Sequence, residues 1–140
     1  MSSDADARLD SSIRRAFALL ILAQAAHSVE EYVYRLFDVF APAGFVAGMF
    51  SSNHAVGFAL ANALLVGFGA WCYVARVRPS RSSARAYAWF WTGLEAVNGT
   101  SHVFFSILRG GYFPGVGTAP LLLATAVYLG ACLTSGRNED

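Results

Sequence analysis

The sequence predicts an all-α integral membrane protein: a four-helix bundle, up-down-up-down, with the N- and C-termini cytoplasmic. Three observations predict it. The chain of 140 residues is 56% hydrophobic and 14% charged, with a mean hydropathy of +0.46. It holds four apolar runs near the roughly 20 residues that a helix needs to cross a bilayer. These runs are long and continuous where barrel strands would be short and alternating. Finally, all ten basic residues are arginines, and Arg76, Arg78, Arg81 and Arg85 crowd one connection, which assigns that connection and both termini to the cytoplasmic side.

In chain order, residues 1–12 are polar and acidic-rich and predict a disordered cytoplasmic tail. Residues 13–136 form the single transmembrane domain, and 137–140 a second short tail. The first span runs from Ile13 to Leu36. Arg14-Arg15 and Ala23-Gln24-Ala25 imitate a secretion signal and its cleavage site, but the segment stays apolar to Phe40, beyond the length of such a signal. The second span, Asn53 to Val77, carries Ala59, Ala63 and Gly67 every four residues, a stripe expected at a close helix–helix approach. The third runs from Ala84 to Leu108 and the fourth from Val116 to Ser135. Pro42 with Gly44 and Gly48, Pro79, and the Gly110–Gly115 stretch mark the connections, the last of them placed to cover the outer mouth of the bundle. Trp71, Tyr73, Trp89 and Trp91 are expected to anchor the cytoplasmic interface. Cys72 and Cys132 are too few for a disulfide scaffold and read as reduced, packed thiols.

Ionisable side chains are costly in hydrocarbon and persist where they pair, line a cavity or bind something. His27-Ser28-Val29-Glu30-Glu31 sets a histidine and two carboxylates inside the first span. Residues three and four apart share a helix face, so His27 and Glu31 stand one turn apart. The third span repeats the pattern with Thr92, Glu95, Asn98, His102 and Ser106. With a rise of about 1.5 Å per residue from the cytoplasmic arginines, His27, Glu30 and Glu31 lie at about 18, 22 and 24 Å, and Glu95, Asn98 and His102 at about 15, 20 and 25 Å. Spans one and three run in the same direction and can face each other diagonally across the core. Asn62 and Thr125 fall at a similar depth, at about 21 and 18 Å, while His54, at about 33 Å, belongs to the outer mouth.

Three carboxylates and two histidines converging in low dielectric must share protons or neutralise a cation. Imidazole and carboxylate without thiolate suit a divalent transition metal: iron, manganese or zinc. The expected metal ligands are His27, Glu31, His102 and Glu95, and the expected acid/base residues Glu30 and Glu95. Asn98, Asn62, Thr92, Thr125 and His54 complete the surroundings or meet substrate. The order His-x-x-Glu approaches the inverted zinc-protease arrangement, with Glu31 where that motif has its second histidine, which argues against a protease. A two-metal carboxylate centre would need Glu-x-x-His pairs, and Glu95-x-x-Asn98 has asparagine there. A bis-histidine haem leaves the acids without a role, and Asn98-Gly99-Thr100 is a glycosylation pattern buried within a span.

His27-Ser28-Val29-Glu30-Glu31, with the later Asn98-Gly99-Thr100-Ser101-His102 and Pro114-Gly115-Val116-Gly117-Thr118-Ala119, resembles the HXXEE-domain family of small membrane proteins of unassigned activity. The resemblance covers the whole membrane region. It implies a shared polar centre and supplies no reaction.

The function expected is a membrane-embedded metalloenzyme acting on a lipophilic small molecule that arrives from the bilayer. The alternatives are a metal-free acid/base isomerase or cyclase and, from another class, a proton or ion conductor or small-molecule-binding subunit. Neutral pI and scattered arginines argue against nucleic acid as a partner. Location in a cytoplasmic or inner membrane, as a multi-pass protein, follows from the spans, and self-association is compatible with them.

Overall fold

Asp10 starts the first helix, its carboxylate accepting the Ser12 backbone N–H at 3.2 Å. The computed structural model describes residues 9–135, so the expectations for residues 1–8 and for the tail at 137–140 lie outside the described residues. Among the described residues every regular element is a helix: α1 Ser11–Val33, α2 Leu36–Val39, α3 Ala41–Phe50, α4 His54–Cys72, α5 Ala84–Arg109 and α6 Ala119–Ser135. A π-helical turn, Tyr73–Val77, extends α4. Asn53 caps α4 through its side chain, and Gly110 closes α5 in the left-handed region at φ 63°. α1 stops short of Leu36 because Arg35 turns left-handed at φ 55°, where its guanidinium meets Asp38 at 2.5 Å.

The four long helices alternate in direction. The start of α1 (Ile13, Phe17), the end of α4 and its π turn (Cys72, Val77), the start of α5 (Ala84, Ala88) and the end of α6 (Leu129, Leu133) share one apolar cluster at the arginine-rich end. A second cluster, with Leu36, Phe37, Ala47, Phe58 and Phe113, closes the opposite end. α6 packs on both α1 and α5, and α4 lies on the other side of α1. α5 meets the α4 arm mainly through the π turn. Between the two apolar clusters lies a buried polar layer of Gln24, His27, Ser28, Glu31, Glu95 and His102.

Three expectations change. The connection around Pro42 is itself helical: α3 begins with Pro42 in its first turn and lies against α4, where Gly57 lacks the Cβ that would collide with the Ala47 carbonyl. Ala59, Ala63 and Gly67 face outward, and nothing lies within 4 Å of the Cβ position of Gly67. Trp91 is fully buried against Phe17 and does not sit at an interface. By length and composition one helix among the described residues, His54–Val77, with 24 residues and a mean hydropathy of 1.7, is long and apolar enough to cross a membrane. α1 and α5 have the length and lose hydropathy to the polar layer they carry.

Candidate functional site

His27 and Glu31 project from successive turns of α1 toward His102 on α5, and one ligand atom of each lies within 4.8 Å of the others. Glu31 Oε1 is 3.0 Å from His102 Nε2 and 3.4 Å from His27 Nε2. The two imidazoles meet edge to face, with centroids 4.6 Å apart. All three side chains are buried.

Hydrogen-bond partners assign the ring protons. His102 Nδ1 lies 2.6 Å from the Pro114 carbonyl oxygen; a carbonyl only accepts, so the proton is on Nδ1 and a neutral ring has its lone pair on Nε2. His27 Nδ1 lies 2.8 Å from Thr118 Oγ1. That hydroxyl donates its own proton to Glu30 Oε2 at 2.5 Å, leaving its oxygen to accept from Nδ1. Both Nε2 atoms therefore turn lone pairs toward the Glu31 carboxylate, and His27 Nε2 has no hydrogen-bond partner. Acceptors converging without a donor need a proton or a cation between them. Nδ1 tied to oxygen, with Nε2 left free, is also the arrangement that orients metal-ligating histidines.

Residues 110–118 close over this point. Gly115 adopts φ 98°, and a Cβ there would collide with the His102 ring and lie 2.9 Å from His27 Cε1, so the backbone seats directly on both imidazoles. Glu30 fastens the loop, accepting from the backbone N–H of Gly117 at 2.9 Å and of Thr118 at 2.7 Å, from the Thr118 hydroxyl, and from the phenol of Tyr112. The Tyr112 phenol, in the loop, is pushed above its ordinary range by desolvation, then by the hydrogen bond to Glu30 and by that group's charge. An absorbance titration of wild type minus Tyr112→Phe is expected to show a phenol still protonated above pH 10. As pH rises past that value an unfolded chain loses this proton and the folded chain keeps it, so the stability difference between the two proteins shrinks there. A Tyr112 that ionises with the other tyrosines would contradict the fastening.

The remaining expected residues separate into layers. Glu95, expected as a fourth ligand, is buried outside the His27–Glu31–His102 group: it accepts from Asn98 Nδ2 at 3.2 Å. In the amide orientation that satisfies both groups it also accepts from Gln24 Nε2 at 2.7 Å, while Gln24 accepts from Ser28 Oγ at 3.0 Å. Glu30, expected as the general base, has its oxygens engaged by four donors and lies off the centre. Thr92 donates to the Ala88 carbonyl and Thr125 to the Leu121 and Leu122 carbonyls, each on its own helix. Asn62 donates to the Phe58 carbonyl at 3.2 Å and lines a cleft that reaches Glu31 and His102. His54 is exposed at the opposite end from the arginines, beside Gly48 and Met49. The sequence gives no sign of the parts that Thr118 and Pro114 play, because a Pro-Gly-x-Gly-Thr run reads locally as a turn.

Comparison with curated proteins and with solved structures gives no match. One family model does match, described as a protein of unknown function with HXXEE motif, over residues 18–129. That interval holds α1 from its second turn, the whole of α4 and α5, the loop that closes the site, and most of α6. The chain therefore belongs to the HXXEE family, and the motif's histidine and second glutamate are two of the three side chains that meet at its buried centre.

Proposed function

We propose that this protein is a membrane-embedded metal-dependent enzyme that acts on a lipophilic small molecule at the His27–Glu31–His102 centre. One observation carries the reading: two imidazole Nε2 atoms and a carboxylate oxygen, all buried, converge, and with both rings neutral no donor lies among them. A divalent transition metal complements that set, with iron, manganese or zinc matching its nitrogen and oxygen donors. When bound, it would polarise a substrate carbonyl or a water. The chain's own residues then divide the work. Thr118 and Pro114 hold the two rings, Glu30 holds Thr118, and Glu31 and the Asn98–Glu95 pair remain to take or return a proton.

Embedding in a bilayer is supported by the distribution of polarity. The interior holds two histidines, two glutamates and a glutamine, while large apolar side chains on all four long helices face outward: Leu22 66% exposed, Leu64 61%, Val97 71% and Val127 69%. Such a surface suits lipid and would be a liability in water. The start of α1, the Arg76–Arg85 connection and the end of α6 lie at one end of the bundle, the arrangement that four spans require.

Metal analysis of detergent-purified protein tests the proposal. Wild type and Thr125→Val are expected to carry a stoichiometric metal that His27→Ala and His102→Ala lose. No metal in wild type, or the same content in all four, overturns it. The first of these outcomes favours the metal-free acid/base isomerase or cyclase, which the 3.0 Å approach of Glu31 and His102 also supports through a shared proton. A conductor is less well supported, because Phe17, Leu20 and Trp91 close the arginine-rich side of the polar layer with apolar packing. Thr118→Val should lower metal affinity about 10- to 100-fold by releasing the His27 ring, and Thr118→Ser should restore most of it. Equal affinity in Thr118→Val would show that the hydroxyl does not orient the ligand.

A further inference from the structure

The centre is not sealed on every side. A cleft of about 600 Å³ runs from Glu31 and His102 outward between α3, α4 and α5. It exists because α5 leaves α4 above the π turn, and α3 covers the gap only in part. Its inner end is polar, with Asn62, Asn98 and Ser101 beside the two centre residues. Its walls are apolar, and its mouth lies at Val46, Phe50 and Leu64, which are 41%, 45% and 61% exposed. That mouth opens sideways through the helix surface, away from the arginine-rich end.

We infer that this cleft is the substrate site and that its ligand is an uncharged lipophile, an apolar chain or ring system ending in one hydroxyl or carbonyl oxygen. The inference rests on the metal-centre reading for the chemistry and on the cleft alone for the binding. Size sets the first limit: the volume falls within the range of small-molecule pockets. Charge sets the second. No arginine lines the cleft, and its single ionisable carboxylate is already shared by two imidazoles. With the centre free of metal, an anionic head would have to desolvate with no arginine to pair with, and a cationic head would find that carboxylate engaged. An oxygen that can donate or accept one hydrogen bond fits the inner end, where Ser101 and Asn98 offer neutral polar groups. Sideways entry accounts for the rest of the ligand, because a molecule dissolved in the bilayer reaches the centre without crossing water.

Photolabelling with a diazirine-bearing hexadecanol tests this on the full chain in lipid nanodiscs, with metal loaded and after chelation. Adducts are expected within residues 42–50 and 58–65. After chelation, unlabelled hexadecanol should displace the label about tenfold better than hexadecanoate or hexadecane, the difference expected from one buried hydrogen bond or one uncompensated charge. Ala61→Leu and Ala43→Leu, which fill the walls from half-buried positions on different helices, should each lower labelling by a similar factor while bound metal is unchanged. Labelling spread over the outer faces of α1 and α6, indifference to both variants, or equal competition by hexadecane overturns the inference. Specific labelling in a protein that never binds metal upholds the cleft and removes the metal reading. Metal binding without alcohol selectivity upholds the metal reading and removes the cleft.

Discussion

Glu31→Gln is expected to empty the centre, with metal affinity falling by at least about 100-fold while helix content is unchanged. Partners in the outer shell of a metal site typically account for 10- to 100-fold in affinity, and Glu31 stands inside that shell. Its Oε1 is the one atom that faces both imidazoles, at 3.0 and 3.4 Å. The amide keeps the size of the side chain and removes its charge, so a merely structural role would leave the metal in place. Titration of the chelator-stripped variant with zinc or manganese, beside circular dichroism, reads both quantities. The neighbouring substitution Glu30→Gln gives the contrast. It cuts into the loop's fastening, so its larger effect should appear as loosening of residues 110–118 to hydrogen exchange. Identical consequences from the two substitutions would refute the division of labour between the motif's adjacent glutamates.

Gly115→Ala is expected to damage fold and site together. The backbone there has φ 98°, a conformation that costs a residue with a Cβ about 1–3 kcal/mol. The added methyl would also overlap the His102 ring and press on His27 Cε1 at 2.9 Å. Neither ring can swing clear while its Nδ1 is held by Pro114 or Thr118. The unfolding midpoint should fall by about 5 °C or more, and metal affinity should fall with it. Gly111→Ala supplies the control, since no atom lies within 4 Å of its Cβ position and its φ is ordinary. A Gly115→Ala protein with wild-type melting and metal content would show that the loop does not seat on the rings.

The long helices were legible because each is one apolar run bounded by proline, glycine or arginine, and the observed ends fall within about three residues of the expected ones. α3 was not legible. Its ten residues, Ala41–Phe50, are small and apolar with a proline in the first turn, a pattern that a loop in lipid shares. The outward stripe Ala59–Ala63–Gly67 shows a related limit: a helix apolar all round has no polar side to reveal which face packs. Within the site, helical spacing brought His27, Glu31 and His102 forward correctly as neighbours. It overreached with Glu95, because seven residues separate two positions on one face by about 10 Å, which leaves Glu95 on the right stripe and one layer too low. Glu30 and Glu31 could be told to point about 100° apart, but which of them would meet a loop some 87 residues away is tertiary information.

The loop that locks the histidines also sets the moment at which the site comes into being. His27 waits for Thr118 across 91 residues, and Glu30 for Gly117 across 87. Until that loop has been synthesised, His27 Nδ1 and the Glu30 carboxylate lack their final partners, and Glu31 has only His27 and, once α5 is made, His102. Long-range closure of this kind comes late in folding. The donor set that could hold a metal is therefore complete only once α5 has been made, and its rings are fixed in place only in the finished chain.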